Sequence, residues 1–376
     1  MKYFNYIIKR LLYGASKRDF VSYPLFSRPA DLKLHLDLVR KPGVSRLIGK
    51  LENGTYKRDR NICLCGNRDV RLDELISRLD MHAIGLEILL CRKCGLIRSA
   101  DVFDTKSNAD YYKLEYREIL SGGTPRVEEY FESQLDRGNR FLDILNKSGL
   151  IHEIASVAEI GCGSGGILYS FHLISKKVFG YDYDNNYLEY GRSKGMEMFC
   201  IGDNPGPGSI PHAPPDLLIL SHVVEHFLNP KKELVEYIGK VKPGKYLLVE
   251  VPGIFCLSTK RILHGYPVRY FQFAHVFQFF YREYLEIFYK AFGLEIIYGD
   301  ETATFLLRKP LHWEPTVPGD IFNDELAKYP ALIDAYLKEA FFDYCYGPNA
   351  ENMIWFFSSI LERMGLREAV KTLMRR

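Results

Sequence analysis

Between residues 156 and 309, short apolar runs alternate with longer stretches whose apolar residues recur every three or four positions. Apolar runs of about four to eight residues predict buried strands, and the helical recurrence between them predicts helices. The runs are, in order, SVAEI, KVFGYD, MEMFCIGD, DLLIL and KYLLVEVP. Strands that alternate with helices pair in parallel, so this pattern predicts an α/β sheet covered by helices on both faces.

The end of this region follows a different pattern. A predicted helix, YREYLEIFYKAFG, is followed by two further apolar runs, LEIIYGD and TATFLLRK, with only a turn between them. Strands joined by a short turn pair antiparallel. We therefore predict a Rossmann-like sheet of seven strands with an antiparallel pair at its edge.

Four segments flank this predicted domain, which spans 156–309. Residues 1–60 contain a basic amphipathic helix and an irregular stretch, and residues 61–100 carry the first four cysteines. Residues 101–155, rich in tyrosine and glutamate, predict helices that cover a substrate, and residues 310–376 predict a helical extension. The chain is thus expected to be one α/β domain with smaller additions on either side.

The basic helix lies within residues 1–18. Helical spacing places Phe4, Ile7, Leu11 and their apolar neighbours on one face, surrounded by lysines and arginines. Two interpretations stay open. The helix contacts an anionic membrane surface, or it packs on the body of the protein or on a second subunit.

Composition narrows the classes of function. The 376 residues are 47% hydrophobic and 26% charged, which is typical of a globular protein. The 50 basic and 47 acidic side chains leave a net charge of +3, which argues against a nucleic-acid partner. No apolar run approaches the roughly 18 residues that cross a bilayer, and the start lacks a secretory signal. We expect a cytoplasmic protein, with peripheral membrane contact as the open alternative.

The stretch AEIGCGSGG, residues 158–166, joins the first predicted strand to its helix. Glycine at such a turn adopts backbone angles that other residues avoid and lets a ligand touch the backbone. Gly161, Gly163 and Gly166 satisfy G-x-G-x-x-G, and Asp182 follows at the end of the second strand, where an acid can hold a ribose diol. On these residues alone, a nicotinamide dinucleotide remains a candidate.

Glu159 extends the motif to E-x-G-x-G-x-G, which resembles the first motif of class I S-adenosylmethionine-dependent methyltransferases. The resemblance covers roughly residues 156–309 and implies S-adenosylmethionine as the methyl donor. It also implies a set of residues that bind this cofactor: Glu159, Gly161, Gly163, Gly165, Asp182 for the ribose hydroxyls, Tyr183 over the adenine, Asp203 for the adenine amino group, and Ser221.

The segment SHVVEH, residues 221–226, leaves the carboxyl end of the fourth strand, where open α/β sheets place their ligands. At helical spacing His222 and His226 share a face. We predict His226 as the general base, worth a factor of roughly 10² to 10⁴, and Glu225 as the group that orients or polarises the acceptor. Two alternatives stay open: these side chains brace the following helix, or they hold zinc or another divalent cation.

The absence of one sequence motif narrows the class of acceptor. Methyltransferases that act on base amino groups carry an asparagine- or aspartate-Pro-Pro-aromatic motif after the fourth strand. Here the nearest sequence, Ala213-Pro214-Pro215-Asp216, precedes that strand. Methylation of a nucleobase amine is therefore disfavoured.

Two close cysteine pairs, Cys63 with Cys65 and Cys91 with Cys94, predict a structural zinc site with four thiolate ligands. The second pair has the regular C-x-x-C spacing. The first is C-x-C, because Ile62 stands where its first cysteine is expected. If the site does not form, these residues are cytosolic thiols in a degenerate ribbon.

The sequence CGLIRSADVFDTKSNADYYKLEY after the second pair resembles the zinc-ribbon front end of methyltransferases that act on activated deoxysugars. That resemblance implies a sugar site made of Tyr111, Tyr112 and Tyr116 with Glu225 and His226, joined by His222 and by His275 of a His-x-x-x-Phe segment.

The carbon-methylating members of that family carry a second full α/β domain, whereas about 65 mostly helical residues follow Lys309 here. We therefore expect methylation of a hydroxyl on a sugar nucleotide or surface glycan. Sugar C-methylation, nicotinamide-dependent oxidoreduction of a sugar and a non-catalytic scaffold remain the alternatives.

Overall fold

The computed structural model of the chain describes residues 21–28, 40–122, 127–201, 213–255 and 271–346. The amphipathic helix predicted in residues 1–18, the adenine-binding residue Asp203 and the end of the C-terminal extension, 347–376, lie outside these ranges.

The amino-terminal half contains a small sheet and several helices. Its elements are α1 (Arg40–Glu52), β1 (Arg58–Arg60), β2 (Asp73–Leu79), β3 (Gly85–Cys91), β4 (Ile97–Ser99), β5 (Asp101–Phe103), α2 (Thr105–Tyr111), α3 (Arg117–Ser121) and α4 (Val127–Lys147). A single π-helical turn, Tyr112–Tyr116, joins α2 to α3. Between residues 105 and 147, most of the described residues are helical, whereas Asp101–Phe103 is a strand.

The second half builds the main sheet. Its elements are β6 (Ser156–Ile160), α5 (Gly166–Leu173), β7 (Lys177–Asp182), α6 (Asn185–Ser193), β8 (Glu197–Cys200), β9 (Leu217–Ser221), α7 (Pro230–Gly239), β10 (Tyr246–Glu250), β11 (Phe277–Phe279), α8 (Arg282–Ala291), β12 (Glu295–Gly299), β13 (Thr304–Arg308) and α9 (Tyr329–Tyr346).

Seven strands form the main sheet in the order β12-β13-β10-β9-β6-β7-β8. The neighbouring strands β10, β9, β6, β7 and β8 all pair in parallel. Strand β13 runs antiparallel to both of its neighbours, β12 and β10. The predicted seven-stranded α/β sheet with an antiparallel edge pair is confirmed. The strand order changes direction beside β6 and β9, so the carboxyl ends of these two strands border a crevice in which ligands bind.

Strand β9, in the middle of the sheet, corresponds to the fourth apolar run of the sequence. Its surroundings explain why neither face of this strand is polar. Leu218 and Leu220 pack into the hydrophobic cluster on one side of the sheet, and Leu217 and Ile219 pack into the cluster on the other. All four side chains are fully buried. Helices on both faces of the sheet leave no room for a polar position.

A second sheet, in the order β11-β4-β3-β2, ties the cysteine segment to the α/β domain. Strand β11 comes from the aromatic segment before α8, and Phe277 lies opposite Arg98 of β4 in an antiparallel pair. The Asn61 side-chain amide donates to the carbonyl of Val276 at 3.0 Å and adds a second connection. The cysteine segment is therefore held against the domain next to His275.

The chain after β9 differs from the prediction. His222 has a φ of 55°, Val224–His226 forms a 3₁₀ turn, and the helix begins only at Pro230. The expectation that His222 and His226 share a helical face was wrong. Asn229 caps the helix through Lys232 N–H, and proline at the first helical position sets the start there.

The carboxyl-terminal extension also begins differently. Residues 310–323 form no helix or strand, and helical structure starts with the turn Asp324–Lys328 before α9. Pro310, Pro315 and Pro318 interrupt the first stretch because proline lacks the N–H that a helix needs. Among the residues described, no helix combines the length and apolar character needed to cross a membrane.

Candidate functional site

The glycine-rich loop follows β6 and leads into α5. Gly161, Gly163 and Gly165 have φ angles of +67°, +53° and +84°, which side chains rarely tolerate. A Cβ atom added at Gly163 would lie 2.5 Å from the ring of Tyr130, a residue of α4. Glycine is thus required here both by the backbone and by the aromatic ring that covers the loop.

Asp182, at the end of β7, supports the loop directly. Its Oδ2 accepts a hydrogen bond from the Gly163 N–H at 2.9 Å, and its Oδ1 accepts one from the Asp184 N–H at 3.0 Å. Arg117 of α3 donates to Oδ1 at 3.2 Å. The predicted ribose-binding carboxylate therefore lies beside the loop, next to an arginine that sequence reasoning missed because 65 residues separate the two.

Glu159, two residues before Gly161, is buried in the wall of the same crevice. Burial raises the pKa of its carboxyl well above the ordinary value, and the nearby Arg137 only partly offsets this. Its Oε2 and the hydroxyl of the buried Ser164 make no hydrogen bond. Unpartnered buried polar atoms are costly, and a bound ligand with a hydrogen-bonding group would relieve this cost.

Helix α4 adds Arg137 to the site. Its Nη1 lies 3.4 Å from the hydroxyl of Ser221, a predicted cofactor residue, and its Nε lies 3.1 Å from Glu250. Arg140, one turn later, also pairs with Glu250, whose pKa lies well below its ordinary value because His222 and the two arginines outweigh burial. The helical pattern of α4 carried no local signal for this role.

Glu225 is the centre of the predicted catalytic group and is fully buried. Its Oε1 lies 3.2 Å from Nδ1 of His222 and 4.0 Å from Nε2 of His226, and its Oε2 has no hydrogen-bond partner. Burial opposes ionisation, but the hydrogen bond with His222 and the nearby histidine charges lower its pKa below the ordinary value. Glu225 is therefore an anion flanked by two imidazole rings.

His226 is fixed through its other ring nitrogen. Nδ1 lies 3.1 Å from the carbonyl oxygen of Ala274 and 2.8 Å from the hydroxyl of Tyr112. Because a carbonyl oxygen can only accept, the contact with Ala274 favours the tautomer that has the hydrogen on Nδ1 and the lone pair on Nε2. Burial lowers the pKa of His226 below its ordinary value although Glu225 opposes this, so the ring is neutral at physiological pH.

His222 has a different role. Its two ring nitrogens lie 3.2 Å from Glu225 and 3.4 Å from Glu250. Burial disfavours the charged ring, but these two carboxylates raise the pKa of His222 to about 9. His222 is thus an imidazolium that holds two acids in place. Its left-handed backbone conformation is strained for a side chain of this size, a feature found at functional sites.

The predicted substrate tyrosines lie beside this group. Tyr112 and Tyr116 have ring centroids 4.7 Å apart, and both rings stand edge-on to His226. Tyr112 also stacks on Tyr183 at 6.1 Å with nearly parallel rings. Tyr111 is buried against Phe273 and the other two tyrosines. The structure thereby brings the predicted adenine cover and the predicted base onto one aromatic surface.

His275 completes the group. Its ring centroid lies 4.7 Å from that of His226, its Nδ1 is buried without a partner, and burial followed by the proximity of His226 lowers its pKa to about 3. One ligand atom each from Glu225, His226 and His275 fall within 4.8 Å of one another. A carboxylate and two neutral imidazoles suit either proton transfer or a divalent cation.

Comparison with known proteins supports the interpretation of the glycine-rich loop as part of a methyltransferase domain. Residues 127–298 match a family described as a methyltransferase domain. Part of the chain is also 28% identical, over 117 residues, to a probable S-adenosylmethionine-dependent methyltransferase of Mycolicibacterium smegmatis. Residues 127–298 are therefore similar to methyltransferase domains. The aligned part is 30% of this chain and 44% of that relative, so the match spans less than half of the relative's length.

Solved structures are more distant. An O-methyltransferase family protein from Burkholderia thailandensis is 11% identical with a TM-score of 0.37, covering 55% of this chain and 63% of its own. An S-adenosylmethionine-dependent methyltransferase from Methanosarcina mazei is 17% identical with a TM-score of 0.30, covering 42% and 93%. Similarities with TM-scores this low say nothing about the acceptor of the methyltransferase domain.

The four cysteines converge at one edge of the small sheet. All four are buried, and their sulfur atoms lie within 4.8 Å of one another. The Sγ atoms of Cys63 and Cys94 are 3.5 Å apart, and those of Cys65 and Cys91 are 3.7 Å apart. A tetrahedral zinc ion with Zn–S bonds of about 2.3 Å spaces its sulfurs by roughly 3.8 Å. Both measured distances join the C-x-C pair to the C-x-x-C pair, so the irregular first pair meets the second at a spacing close to this value.

Proposed function

We propose that this protein transfers the methyl group of S-adenosylmethionine to a hydroxyl of a sugar nucleotide or surface glycan, with His226 as general base. The observation that carries the proposal is the arrangement around His226. Its Nδ1 is held by Ala274 and Tyr112, and its Nε2 faces the buried carboxylate of Glu225. This group follows β9, beside the glycine-rich loop that follows β6.

The residues around the loop fit a cationic cofactor. S-adenosylmethionine supplies a sulfonium-activated methyl group when bound. The buried Glu159 has an unpartnered oxygen and no full counter-charge, and a positive ligand beside it would favour the ionised carboxylate. Asp182 would hold the ribose and Tyr183 would cover the adenine. The bare backbone at Gly161 and Gly163 leaves room for close contact.

His226 would remove the proton of the acceptor hydroxyl as the methyl group is transferred. The neutral ring has its lone pair on Nε2, and accepting a proton there makes an imidazolium next to Glu225. Opposite charges 4.0 Å apart stabilise that product. Glu225 in turn stays ionised because the positively charged His222 lies at 3.2 Å.

A sugar acceptor is supported by the groups around the base. Tyr112 and Tyr116 stand edge-on to His226, and both tyrosines are half-buried. Aromatic faces with polar edges suit the two faces and the hydroxyls of a sugar ring. The resemblance of the tyrosine-rich segment to sugar methyltransferases points to the same acceptor.

Zinc is proposed as a structural ion in the Cys63, Cys65, Cys91 and Cys94 cluster. All four side chains are buried, their sulfur atoms lie within 4.8 Å of one another, and no disulfide joins them. Positive φ angles at Gly66 and Gly95 turn the chain directly after Cys65 and Cys94. The ion would hold the small sheet that supports β11 and His275, and it would take no part in methyl transfer.

The proposal is tested by comparing surface and nucleotide-linked sugars by mass spectrometry in cells with the protein, without it, and with His226→Gln. The exposed His312→Gln serves as the matched control. We expect one sugar to carry an added methyl group only with the wild type and the control. If no sugar differs in mass, or if His226→Gln preserves methylation, the proposal fails.

A second experiment distinguishes general-base catalysis by His226 from a divalent cation held by Glu225, His226 and His275. With purified protein and the identified acceptor, EDTA should leave the rate unchanged, because the base mechanism needs no dissociable cation. Loss of activity on chelation while the zinc content of the cysteine cluster is unchanged, and its return with one divalent metal, would instead assign these residues to a metal site.

A further inference from the structure

Arg117 connects the segment that carries the predicted acceptor tyrosines to the predicted cofactor site. It is the first residue of α3 and directly follows Tyr116, the last residue of the π-helical turn. Its Nη2 donates to Oδ1 of Asp182 at 3.2 Å, and its Nε lies 3.6 Å from Oδ2 of Asp184. Neither the sequence motifs nor the proposed reaction assigns a role to this arginine.

Asp182 has little capacity left for a further donor. Its Oδ1 accepts from the Asp184 N–H at 3.0 Å and from Arg117, and its Oδ2 accepts from the Gly163 N–H at 2.9 Å. A carboxylate oxygen has about two acceptor sites, so Oδ1 is filled and Oδ2 can accept one more hydrogen bond. The side chain is also only 4% exposed to solvent. A ribose diol, which presents two hydroxyls, therefore cannot use both oxygens while Arg117 stays in place.

The guanidinium group of Arg117 has a second set of partners at the start of α6. Oδ1 of Asp184 caps this helix by accepting from the Asn186 N–H at 3.0 Å, which leaves Oδ2 facing Arg117. The guanidinium carbon lies 4.5 Å from the centroid of the Tyr187 ring, within the range of a cation–π contact. Arg117 can thus leave Asp182 and still keep a carboxylate and an aromatic ring as partners.

We propose that Arg117 and the cofactor ribose compete for Asp182, and that Arg117 pairs with Asp184 alone once the cofactor is bound. The inference rests on the proposed function, in which Asp182 binds the ribose hydroxyls. Competition of this kind weakens cofactor binding in proportion to the fraction of molecules in which Asp182 is free. Cofactor binding also moves a side chain of the segment whose Tyr116 ring stands edge-on to His226.

The test is isothermal titration calorimetry with S-adenosylhomocysteine, which carries the same adenosine group as S-adenosylmethionine. The first variant is Arg117→Met, which keeps an apolar side chain and removes the charged donor. The matched control is Arg71→Met, because the Arg71 side chain is 86% exposed and pairs only with Asp69 among the residues described. Circular dichroism checks folding, and Arg117→Gln replaces Arg117→Met if the methionine variant does not fold.

We expect Arg117→Met to bind S-adenosylhomocysteine about tenfold more tightly than the wild type, because no side chain has to leave Asp182 first. We expect Arg71→Met to bind it as the wild type does. Weaker binding by Arg117→Met would mean that the arginine contacts the cofactor directly. Weaker or unchanged binding would overturn the proposed competition.

A second variant tests the place to which Arg117 moves. Asp184→Asn keeps an oxygen that can cap α6 but removes the carboxylate that would receive the arginine. We expect it to weaken binding of S-adenosylhomocysteine about threefold in the otherwise wild-type chain, as for the loss of one partly exposed ion pair. In the Arg117→Met background it should have no effect. Equal weakening in both backgrounds would overturn the move to Asp184.

The same titrations keep this inference apart from the proposed function. If S-adenosylhomocysteine binds the wild type and Arg117→Met gains no affinity, the competition is wrong and the methyltransferase proposal stands. If S-adenosylhomocysteine binds none of these proteins, the proposed function fails and the inference fails with it.

Discussion

Replacing Glu225 with glutamine tests whether the buried carboxylate stabilises the protonated form of His226. The two groups are 4.0 Å apart, and at an effective dielectric constant of about 20 their attraction is about 4 kcal/mol. This is a ceiling, because 16% of the His226 side chain is exposed to solvent. At about 1.4 kcal/mol per factor of ten, we expect methyl transfer to fall between roughly tenfold and a thousandfold.

The pKa of His226 gives a readout that needs no acceptor. Glu225 favours the charged ring, so its neutralisation should lower the pKa of His226 further, and the ring should stay neutral to lower pH. NMR of the histidine Cε1–H signals follows this titration, with His226→Gln to assign the signal and the exposed Glu236→Gln as control. An unchanged His226 pKa in Glu225→Gln would refute the role given to the carboxylate.

Three further predictions concern the cofactor loop and the cysteine cluster. Asp182→Asn should weaken S-adenosylhomocysteine binding about tenfold in calorimetry, because the amide replaces an oxygen that accepts from Gly163 N–H; unchanged affinity would place the ribose elsewhere. Gly163→Ala should destabilise the fold by about 1–3 kcal/mol in thermal denaturation, because its φ of +53° is unfavourable for alanine and the Tyr130 ring would clash with the added Cβ. An unchanged melting temperature would contradict this loop geometry. Cys91→Ser should contain less zinc in elemental analysis and should melt at a lower temperature than the wild type. Replacement of the exposed Cys200 by serine should change neither the zinc content nor the melting temperature. If the wild type contains no zinc, the metal proposal fails.

The sheet and its glycine loop were predictable because their signals are local. Each strand carries its own apolar run, and the loop glycines needed by the backbone stand together between β6 and α5. Asp182 follows from spacing along one βαβ unit. These features depend on contacts between neighbouring elements, which the order of residues already brings together.

The rest of the site depends on contacts between distant parts of the chain. His226 meets Ala274 across 48 residues, and Arg117 meets Asp182 across 65. Pairing of β11 with β4 brings His275 against the cysteine segment. A strand of three residues is too short for its hydrophobic pattern to predict it. The helical face expected for His222 and His226 was wrong because proline and asparagine start the helix later.

Asp80 shows the same limit. In the sequence it is one acid in a turn between two strands, and turns commonly contain aspartate. Its burial follows only when the segments that carry Tyr111, Tyr116 and Phe273 pack around it and leave one oxygen without a side-chain partner. A buried polar atom of this kind can be recognised in the folded chain and in no shorter piece of it.

The most direct test of the central claim is transfer of an isotope-labelled methyl group from S-adenosylmethionine to sugars by the purified protein. Sugar nucleotides and glycans from the source cells provide the acceptors, and NMR of the product identifies the labelled atom. We predict a labelled methyl ether on a sugar oxygen, formed by the wild type and strongly reduced in His226→Gln. Label on a sugar carbon, or no transfer to any sugar, would contradict the account.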